Sequence, residues 1–252
     1  MDTTVKFSGK AKEYTQGRPS YAREFVEALY NDYGFSDVSV IADIGSGTGK
    51  FAKQLLDKES IVYCIEPNTD MRLTAEKELS IYPNFQSVDG SAENTTLADN
   101  SVDFVVTAQA FHWFNPQNFK KECCRIIKPD GKVFLIWNTR VETAPINQML
   151  HGIYSKYCPD FKGFSGGTKL HDERIKEFFS NEYEYVTFDN PLYYDKEKFI
   201  NRALSGSYSL RKGDVDYDLF LEEMIRAFDK MQANGIVVIE NKTVAYIGKM
   251  VN

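Results

Sequence analysis

The sequence predicts an α/β protein with a doubly wound, mainly parallel β-sheet, an antiparallel edge and a helical cap. Between residues 36 and 140, apolar segments of strand length alternate with segments of helical periodicity. The strands are mostly apolar, which is typical of parallel strands that carry helices on both faces. Right-handed crossovers between such strands give the doubly wound arrangement. The 252 residues suit one domain of this kind with a cap.

The elements of the first half follow one another in a regular order. A helix begins after Ser20, in YAREFVEALYNDYGF, and Gly34 ends it. Five predicted strands then follow, in VSVIADIG, SIVYCIEP, NFQSVDG, SVDFVVTAQA and KVFLIWNT. Helical segments separate most of them, in KFAKQLLDK, MRLTAEKELS and NFKKECCRIIK. This order predicts one sheet whose strands are joined by helical crossovers.

After Thr139 the alternation stops, and we expect a cap. INQMLHGIYSKYC and DYDLFLEEMIRAFDKM are predicted helices, YEYVTFDNPLYYD is a predicted strand, and GIVVIENKTVAYIGKM is a predicted terminal hairpin. Within a single 1–252 domain, the predicted segments are N-terminal lid helices in 1–35, a ligand-binding core in 36–140, a cap insertion with one sheet-edge strand in 141–215, and a return helix with the hairpin in 216–252.

Composition and charge make several function classes unfavourable. The net charge is −6, and the chain has no basic stretch, so we expect no nucleic-acid partner. No apolar run approaches the roughly 18 residues of a membrane span, and we expect no membrane partner. The first residues contain no apolar signal segment, and the four cysteines form no C-x-x-C pair, so we expect a cytoplasmic protein. The three histidines are widely spaced, and no metal site is predicted.

The loop IADIGSGTGKF follows the first strand and has the composition of a nucleotide-binding loop. A triphosphate-binding loop would need glycine at position 44 and Ser or Thr at position 51, but the chain has Ile44 and Phe51. A dinucleotide-binding loop would need its third glycine at position 50, which is Lys50. Neither pattern is complete, which leaves the pattern D-x-G-x-G-x-G.

Acidic residues stand at the ends of the first two strands. Asp43 ends the first strand, and Glu66 ends the second. In doubly wound sheets, ligands bind beyond the carboxyl ends of the strands. An acid at the end of the second strand is placed to accept both hydroxyls of a ribose. We therefore expect a nucleoside-containing ligand at this edge, the alternative being that Glu66 is only a solvated strand end.

Four further segments carry a resemblance to a known family. VDGSAEN follows the third strand, SVDFVVTAQAFHWF contains the fourth, ECCRIIKPDGKVFLI leads into the fifth, and FSGKAKEYTQGRPSY lies near the N-terminus. Together with the glycine loop, they resemble the class I S-adenosylmethionine-dependent methyltransferases, which have a Rossmann-like fold. The match is to their small-molecule branch, the type 11, trans-aconitate methyltransferase-like enzymes.

The resemblance implies S-adenosyl-L-methionine as the cofactor, S-adenosyl-L-homocysteine as its product, and no metal. In the family, the N-terminal leader folds over the cofactor, and the segment after the third strand contacts the adenine. The positions that this implies for cofactor binding are Tyr14, Arg18, Asp43, Gly45, Ser46, Gly47, Gly49, Glu66, Pro67, Met71, Ser91, Ala92, Glu93 and Gln109.

The resemblance also implies methyl transfer to a small-molecule acceptor, a carboxylate or a hydroxyl, by in-line displacement. The residues predicted to contact the acceptor are Tyr21, His112, Trp113, Arg140 and Tyr208. His112 is the candidate catalytic residue, because an imidazole is suited to act as a general base. Its alternative role is to pack or to shape the pocket. We expect the leader and the cap to close over the site.

Two other functions stay open at this stage. The domain either transfers methyl groups or binds S-adenosylmethionine as a non-catalytic partner module. A nicotinamide-dependent oxidoreductase is the less favoured third function, since Lys50 replaces the glycine that its loop requires. The sequence indicates no particular oligomeric state.

Overall fold

The structure is a computed structural model, and it describes residues 19–164, 172–206 and 208–250. The predicted N-terminal leader, with Tyr14 and Arg18, lies outside the described residues. So does most of the glycine-rich segment that was predicted as a loop of the cap.

Helices and strands alternate through the first half of the described chain. The strands are β1 (Val40–Ile44), β2 (Ile61–Ile65), β3 (Phe85–Val88), β4 (Val102–Ala108), β5 (Ile127–Arg140), β6 (Glu184–Asp189), β7 (Leu192–Tyr194), β8 (Val237–Ile239) and β9 (Asn241–Gly248). The α-helices are α1 (Arg23–Asn31), α2 (Lys50–Leu56), α3 (Thr69–Leu79), α4 (Pro116–Ile126), α5 (Pro145–Tyr157), α6 (Glu173–Phe178), α7 (Lys196–Leu204) and α8 (Tyr217–Met231).

Seven strands form one sheet in the order β3-β2-β1-β4-β5-β9-β6. Strands β1 to β5 pair in parallel. The order reverses between β1 and β4, which is the switch point of a doubly wound sheet. Strands β9 and β6 complete an antiparallel edge. The predicted fold class is therefore confirmed.

Successive strand residues point to opposite faces of the sheet, and each face is covered. On β1, Ile41 packs into one apolar cluster with Phe25 and Phe51 of the helices. Its neighbour Ala42 packs into another cluster, with Phe119 of α4. Because strands buried on both faces need apolar residues at every position, they read as the continuous apolar runs from which the parallel sheet was predicted.

The chain divides into two compact units. Among the described residues, the first contains 19–137, 172–188 and 244–250, and the second contains 138–164, 189–206 and 208–243. The second unit has its own apolar core, in which Leu150, Phe199 and Phe220 are buried. Helix α6 lies in the first unit, where Phe178 stacks on Phe119, and α8 lies in the second. These divisions differ from the segments expected from the sequence, in which the cap ran from 141 to 215.

The predicted terminal hairpin is wrong. Strand β8 pairs with β7 in a separate two-stranded sheet, whereas β9 lies between β5 and β6 in the main sheet. A tight hairpin would need positive φ angles in the turn, and neither Glu240 nor Lys242 has one. Val237 and Ile239 instead face the core of the second unit. The strand predicted in YEYVTFDNPLYYD is likewise divided, into β6 and β7.

In the described part of the chain, no helix combines the length and the apolar character needed to cross a lipid bilayer. The same residues contain no cluster of three His, Cys, Asp or Glu side chains arranged to hold a metal ion.

Candidate functional site

The carboxyl ends of β1, β2 and β4 lie side by side. Asp43 pairs with Cys64 on one side and with Val106 on the other, so the three strands end at the same edge of the sheet. The backbone N–H of Gly45 donates to the Ile65 carbonyl at 2.9 Å, which ties the loop after β1 to the end of β2. This edge is the position at which doubly wound sheets bind ligands.

Gly45 and Gly47, the first two glycines of the loop, are required for different reasons. Gly45 has φ +70°, and a Cβ there would lie 2.7 Å from the Ala110 Cβ, so no side chain fits. Gly47 has φ +58°, and a Cβ there would meet nothing within 4 Å among the described residues. None of the described residues therefore covers the backbone at Gly47, and a ligand is able to approach it closely from that side.

Glu66 joins the end of β2 to the glycine loop. One carboxylate oxygen accepts the Gly47 N–H at 2.9 Å, and the other accepts the Asn68 N–H at 2.8 Å. Burial raises the pKa of Glu66, while these two backbone N–H groups act in the opposite direction. Each carboxylate oxygen has lone pairs beyond the one that accepts a backbone N–H. Glu66 is thus held in place and is still able to accept hydroxyl groups.

Asp43 is the second carboxylate of the site, and it is 1% exposed. Within the described residues, no donor lies at good hydrogen-bonding distance and angle to either of its oxygens. Burial raises the pKa of Asp43 to about 7, the Ala52 N–H at the start of α2 opposes this, and the charge of Glu66 adds to it. Such a carboxylate is costly to bury alone and is stabilised by a cationic neighbour.

The turn after β3 contains the predicted residues Ser91, Ala92 and Glu93. The Ser91 hydroxyl accepts the N–H groups of Glu93 and Asn94 at 3.3 and 3.2 Å. Ala92 is buried at 5% exposure, and the Glu93 carboxylate accepts the Asn115 N–H at 2.9 Å. The side chains of Ser91 and Glu93 therefore brace this turn and the start of α4.

A short 3-10 helix after β4, Phe111–Trp113, presents the next predicted residues. Phe111 is buried and packs edge-on against Trp137 and Phe178, which anchors the turn. His112 and Trp113 follow it, with ring centroids 4.8 Å apart, and Trp113 is 40% exposed. An aromatic residue with this exposure at a strand end forms a surface against which a flat ligand can pack.

The predicted residues that remain in the first unit have simpler surroundings. Ser46 is half-buried in the glycine loop, and Gln109 follows β4 with φ +61°. Pro67 is exposed, whereas Met71 is buried and its N–H donates to the Asn68 side chain at 3.0 Å. Gly49 precedes α2.

Tyr21, predicted to contact the acceptor, is buried at 8% exposure. Its N–H donates to Gln54, and its ring packs edge-on against Phe51 at 4.9 Å. The surroundings of Tyr21 are thus those of a core residue.

Arg72 belongs to this edge, although the sequence did not single it out. Its guanidinium donates to the Glu66 carbonyl at 2.9 Å and to the Asp89 carboxylate at 3.0 Å, linking the ends of β2 and β3. Its charge also favours the ionised form of Glu66. No helical spacing in the sequence indicated this contact, because Glu66 lies before the start of α3.

Arg140 and Tyr208, the other residues predicted to contact the acceptor, belong to the second unit. The structure brings them together, since each is among the groups that act electrostatically on the pKa of the other. The Tyr208 ring packs edge-on against Tyr154 at 5.1 Å.

The fold and the residues at this edge of the sheet indicate the class of protein. A doubly wound sheet with a bare glycine loop and an acid after the second strand is a nucleoside-binding architecture. A family described as a methyltransferase domain matches residues 42–135, which include the glycine loop, Glu66 and the 3-10 turn. This segment is about two fifths of the chain, and over it the chain is similar to the class I S-adenosylmethionine-dependent methyltransferases.

Proteins with similar sequences are also described as methyltransferases or as methyltransferase-like. An uncharacterized methyltransferase of Schizosaccharomyces pombe is 26% identical over 254 residues, which cover 97% of each chain. A methyltransferase-like protein of the same organism is 34% identical over 161 residues, 63% of this chain and 61% of that relative. The chain thus spans about three fifths of the length of the latter protein.

Among solved structures, a candidate type II methyltransferase from Anaeromyxobacter dehalogenans superimposes with a TM-score of 0.65. The match covers 93% of this chain and 98% of that chain, at 18% identity. This likeness concerns the fold, and it supports the Rossmann-like methyltransferase architecture.

Proposed function

We propose that the protein transfers the methyl group of S-adenosylmethionine to a small-molecule acceptor, at a carboxylate or a hydroxyl group. The observation that carries the proposal is the contact of Glu66 with the Gly47 N–H at 2.9 Å, which joins the acid of β2 to the glycine loop of β1. A nucleoside at this edge would meet the ribose-binding acid and the bare backbone together.

The residues at the edge fit this cofactor. Glu66 would accept the ribose hydroxyls, and the open side of Gly47 would admit the methionyl part. The buried carboxylate of Asp43 has no hydrogen-bond partner of good geometry among the described residues, and it is suited to the positive charge of the methionyl ammonium group. The buried backbone at Ala92 would contribute its N–H to the adenine.

When bound, S-adenosylmethionine supplies a methyl group that its positively charged sulfur has activated for transfer. The residues of the chain then have two tasks, to hold the acceptor in line with that methyl group and to exclude water. An ionised carboxylate acceptor has no proton to lose. For a hydroxyl acceptor, an imidazole nitrogen of His112 takes the proton.

The test is a labelling experiment with a methyl-deuterated cofactor. The protein is incubated with the cofactor and with the fraction of a cell extract below about 3 kDa, the size range of small acceptors. Deuterated methyl groups in small molecules, with release of S-adenosylhomocysteine, are the expected result. Binding of the cofactor without any labelled product would instead favour the non-catalytic binding module. Label found only when macromolecules are added back would exclude a small-molecule acceptor.

A further inference from the structure

The second unit contains a small pocket of its own. Its polar lining is made by Arg140, Arg202, Tyr154 and Tyr194, and apolar side chains of the same unit close the rest. Arg140 is the last residue of β5, and Arg202 lies in α7. The two guanidinium groups are donors only, whereas the Tyr154 hydroxyl already donates to the Ala203 carbonyl at 3.1 Å.

Within the described residues, the hydrogen-bond and ring partners of both arginines are uncharged. Arg140 donates to the Asn147 side-chain oxygen at 3.2 Å, and its guanidinium lies 4.2 Å from the centroid of the Phe164 ring. Arg202 donates to the Ser205 hydroxyl at 3.1 Å. The contrast is Arg226 of the same unit, which is exposed and pairs with two glutamates of α8.

The charge of Arg202 also acts on the guanidinium of Arg140. Burial lowers the pKa of Arg140, and the like charge of Arg202 lowers it further. The groups that oppose this shift are tyrosines and not carboxylates. A desolvated cation beside a second cation is unfavourable unless an anion compensates for it, and the described side chains provide none.

We propose that this pocket binds the carboxylate of a small organic anion between Arg140 and Arg202. A guanidinium presents two parallel donors that match the two oxygens of a carboxylate. Tyr154 and Tyr194 line the pocket beside the two guanidinium groups. The pocket is formed by residues of the second unit alone, and as an anion site it does not depend on the proposed function.

The experiment compares salts at constant ionic strength, so that general screening is the same throughout. Sodium succinate and sodium acetate are titrated against sodium chloride and sodium phosphate, and the thermal unfolding midpoint of the full chain is followed. The variants are Arg140→Gln and Arg202→Gln, with Arg226→Gln as the matched surface control. S-adenosylhomocysteine binding is measured on each variant in parallel.

We expect the carboxylates to raise the midpoint of the wild-type protein more than chloride does. The apparent affinity for succinate should fall at least about tenfold in Arg140→Gln and in Arg202→Gln, because a charge-assisted bidentate contact is lost. Arg226→Gln should respond like the wild type. If Arg140→Gln does not fold, Arg202→Gln and Arg140→Lys provide the same comparison, the lysine retaining the charge without the planar fork.

An equal response to chloride and to carboxylates, or an undiminished response in both glutamine variants, would overturn the proposal. A stronger response to phosphate than to succinate would overturn the choice of a carboxylate. S-adenosylhomocysteine binding separates this failure from that of the proposed function: a protein that binds it without a carboxylate response lacks only the anion site. A protein with the carboxylate response alone would leave the anion site in place and contradict the methyltransferase.

Discussion

Asp43 is a carboxylate that the folded chain withdraws from water at the end of β1. Its pKa of about 7 arises from burial first and from the charge of Glu66 second. An acid whose pKa is raised in the folded state binds its proton more tightly there than in the unfolded chain. Folding stability therefore falls as the pH rises from about 4, the usual value for Asp, through the folded value.

Asp43→Asn should stabilise the cofactor-free protein at pH 8 by about 1–3 kcal/mol, because it removes a buried charge. The gain should shrink at pH 5, where Asp43 is already protonated in the folded state. Urea unfolding at the two pH values measures both quantities. The same variant should weaken S-adenosylhomocysteine binding. A variant less stable than the wild type at pH 8 would contradict the assignment of an uncompensated charge.

His112 follows a buried phenylalanine in the 3-10 turn, and its proposed role is that of a base. With a hydroxyl acceptor, His112→Ala should lower kcat by about a hundredfold or more, since a positioned base contributes on that order. Affinity for S-adenosylhomocysteine should change far less. Steady-state kinetics and titration calorimetry give the two values. Equal losses in both would assign His112 to packing.

At the scale of single residues, the sequence predicted those whose position follows from the backbone alone. Asp43 and Glu66 end apolar runs, so any parallel sheet brings them to one edge. Arg72 was missed because its role depends on how its long side chain folds back from α3 to the ends of β2 and β3. The second guanidinium of the Arg140 pocket was missed for the same reason, because α7 meets β5 only in the folded unit.

Helix α4 is tied to the loop before β4 by a cluster of charged side chains. The Glu122 carboxylate is 7% exposed and accepts the N–H and hydroxyl of Thr95 at 2.7 and 2.6 Å. Arg125 donates to Glu122 and to Asp99, each at 2.7 Å. Glu122 and Arg125 belong to the ECCR segment that resembles the family. In the structure, their side chains join α4 to the loop before β4.

Arg125→Ala should lower the free energy of unfolding by about 2–3 kcal/mol at pH 7, since it leaves the buried Glu122 with only Thr95 as partner. Burial opposes ionisation of Glu122, but the hydrogen bonds from Arg125 and Thr95 outweigh it and hold its pKa below the usual range. A lowered acid pKa stabilises the fold above about pH 4 and loses that effect as the pH falls.

The penalty of Arg125→Ala should accordingly diminish in acid, as urea unfolding between pH 7 and pH 3 would record. Lys121→Ala on the exposed face of the same helix is the matched control, with an expected change within about 0.5 kcal/mol. A penalty that does not depend on pH would mean that Arg125 stabilises the fold through packing alone.

Strands were predictable from the sequence where both of their faces are buried. Strands β1, β2 and β4 are covered on both faces, and their apolar runs indicate this directly. The segment around Glu240 was not predictable in this way. Its residues alternate as a hairpin would, yet β8 and β9 join different sheets. Periodicity reports which side chains are buried, and it does not report the partner strand.

At the scale of the whole molecule, the chain order of the two units is the least predictable feature. The first unit takes up α6 and most of β6 after the first segment of the second unit, and it takes up the end of β9 after the remaining segment. Phe178 and Phe179 complete the core of the first unit from that late segment. Such returns depend on contacts between residues far apart in the chain, and a local pattern does not record them.

Cofactor binding to the folded chain should stabilise the whole molecule by mass action. S-adenosylhomocysteine at a hundred times its Kd should add about 2.7 kcal/mol to the free energy of unfolding. Thermal unfolding with and without the ligand measures this. NADH and ATP are the controls, because the glycine loop fits neither the dinucleotide nor the triphosphate pattern, and neither should raise the midpoint.

The most direct test of the central claim is a calorimetric titration of S-adenosylhomocysteine into the wild-type protein and two variants. Glu66→Ala should weaken binding at least about tenfold, because charge-assisted hydrogen bonds to the ribose are lost. Glu78→Gln, an exposed acid of α3, should bind like the wild type. Unchanged affinity in Glu66→Ala, or no binding by the wild type, would contradict the account.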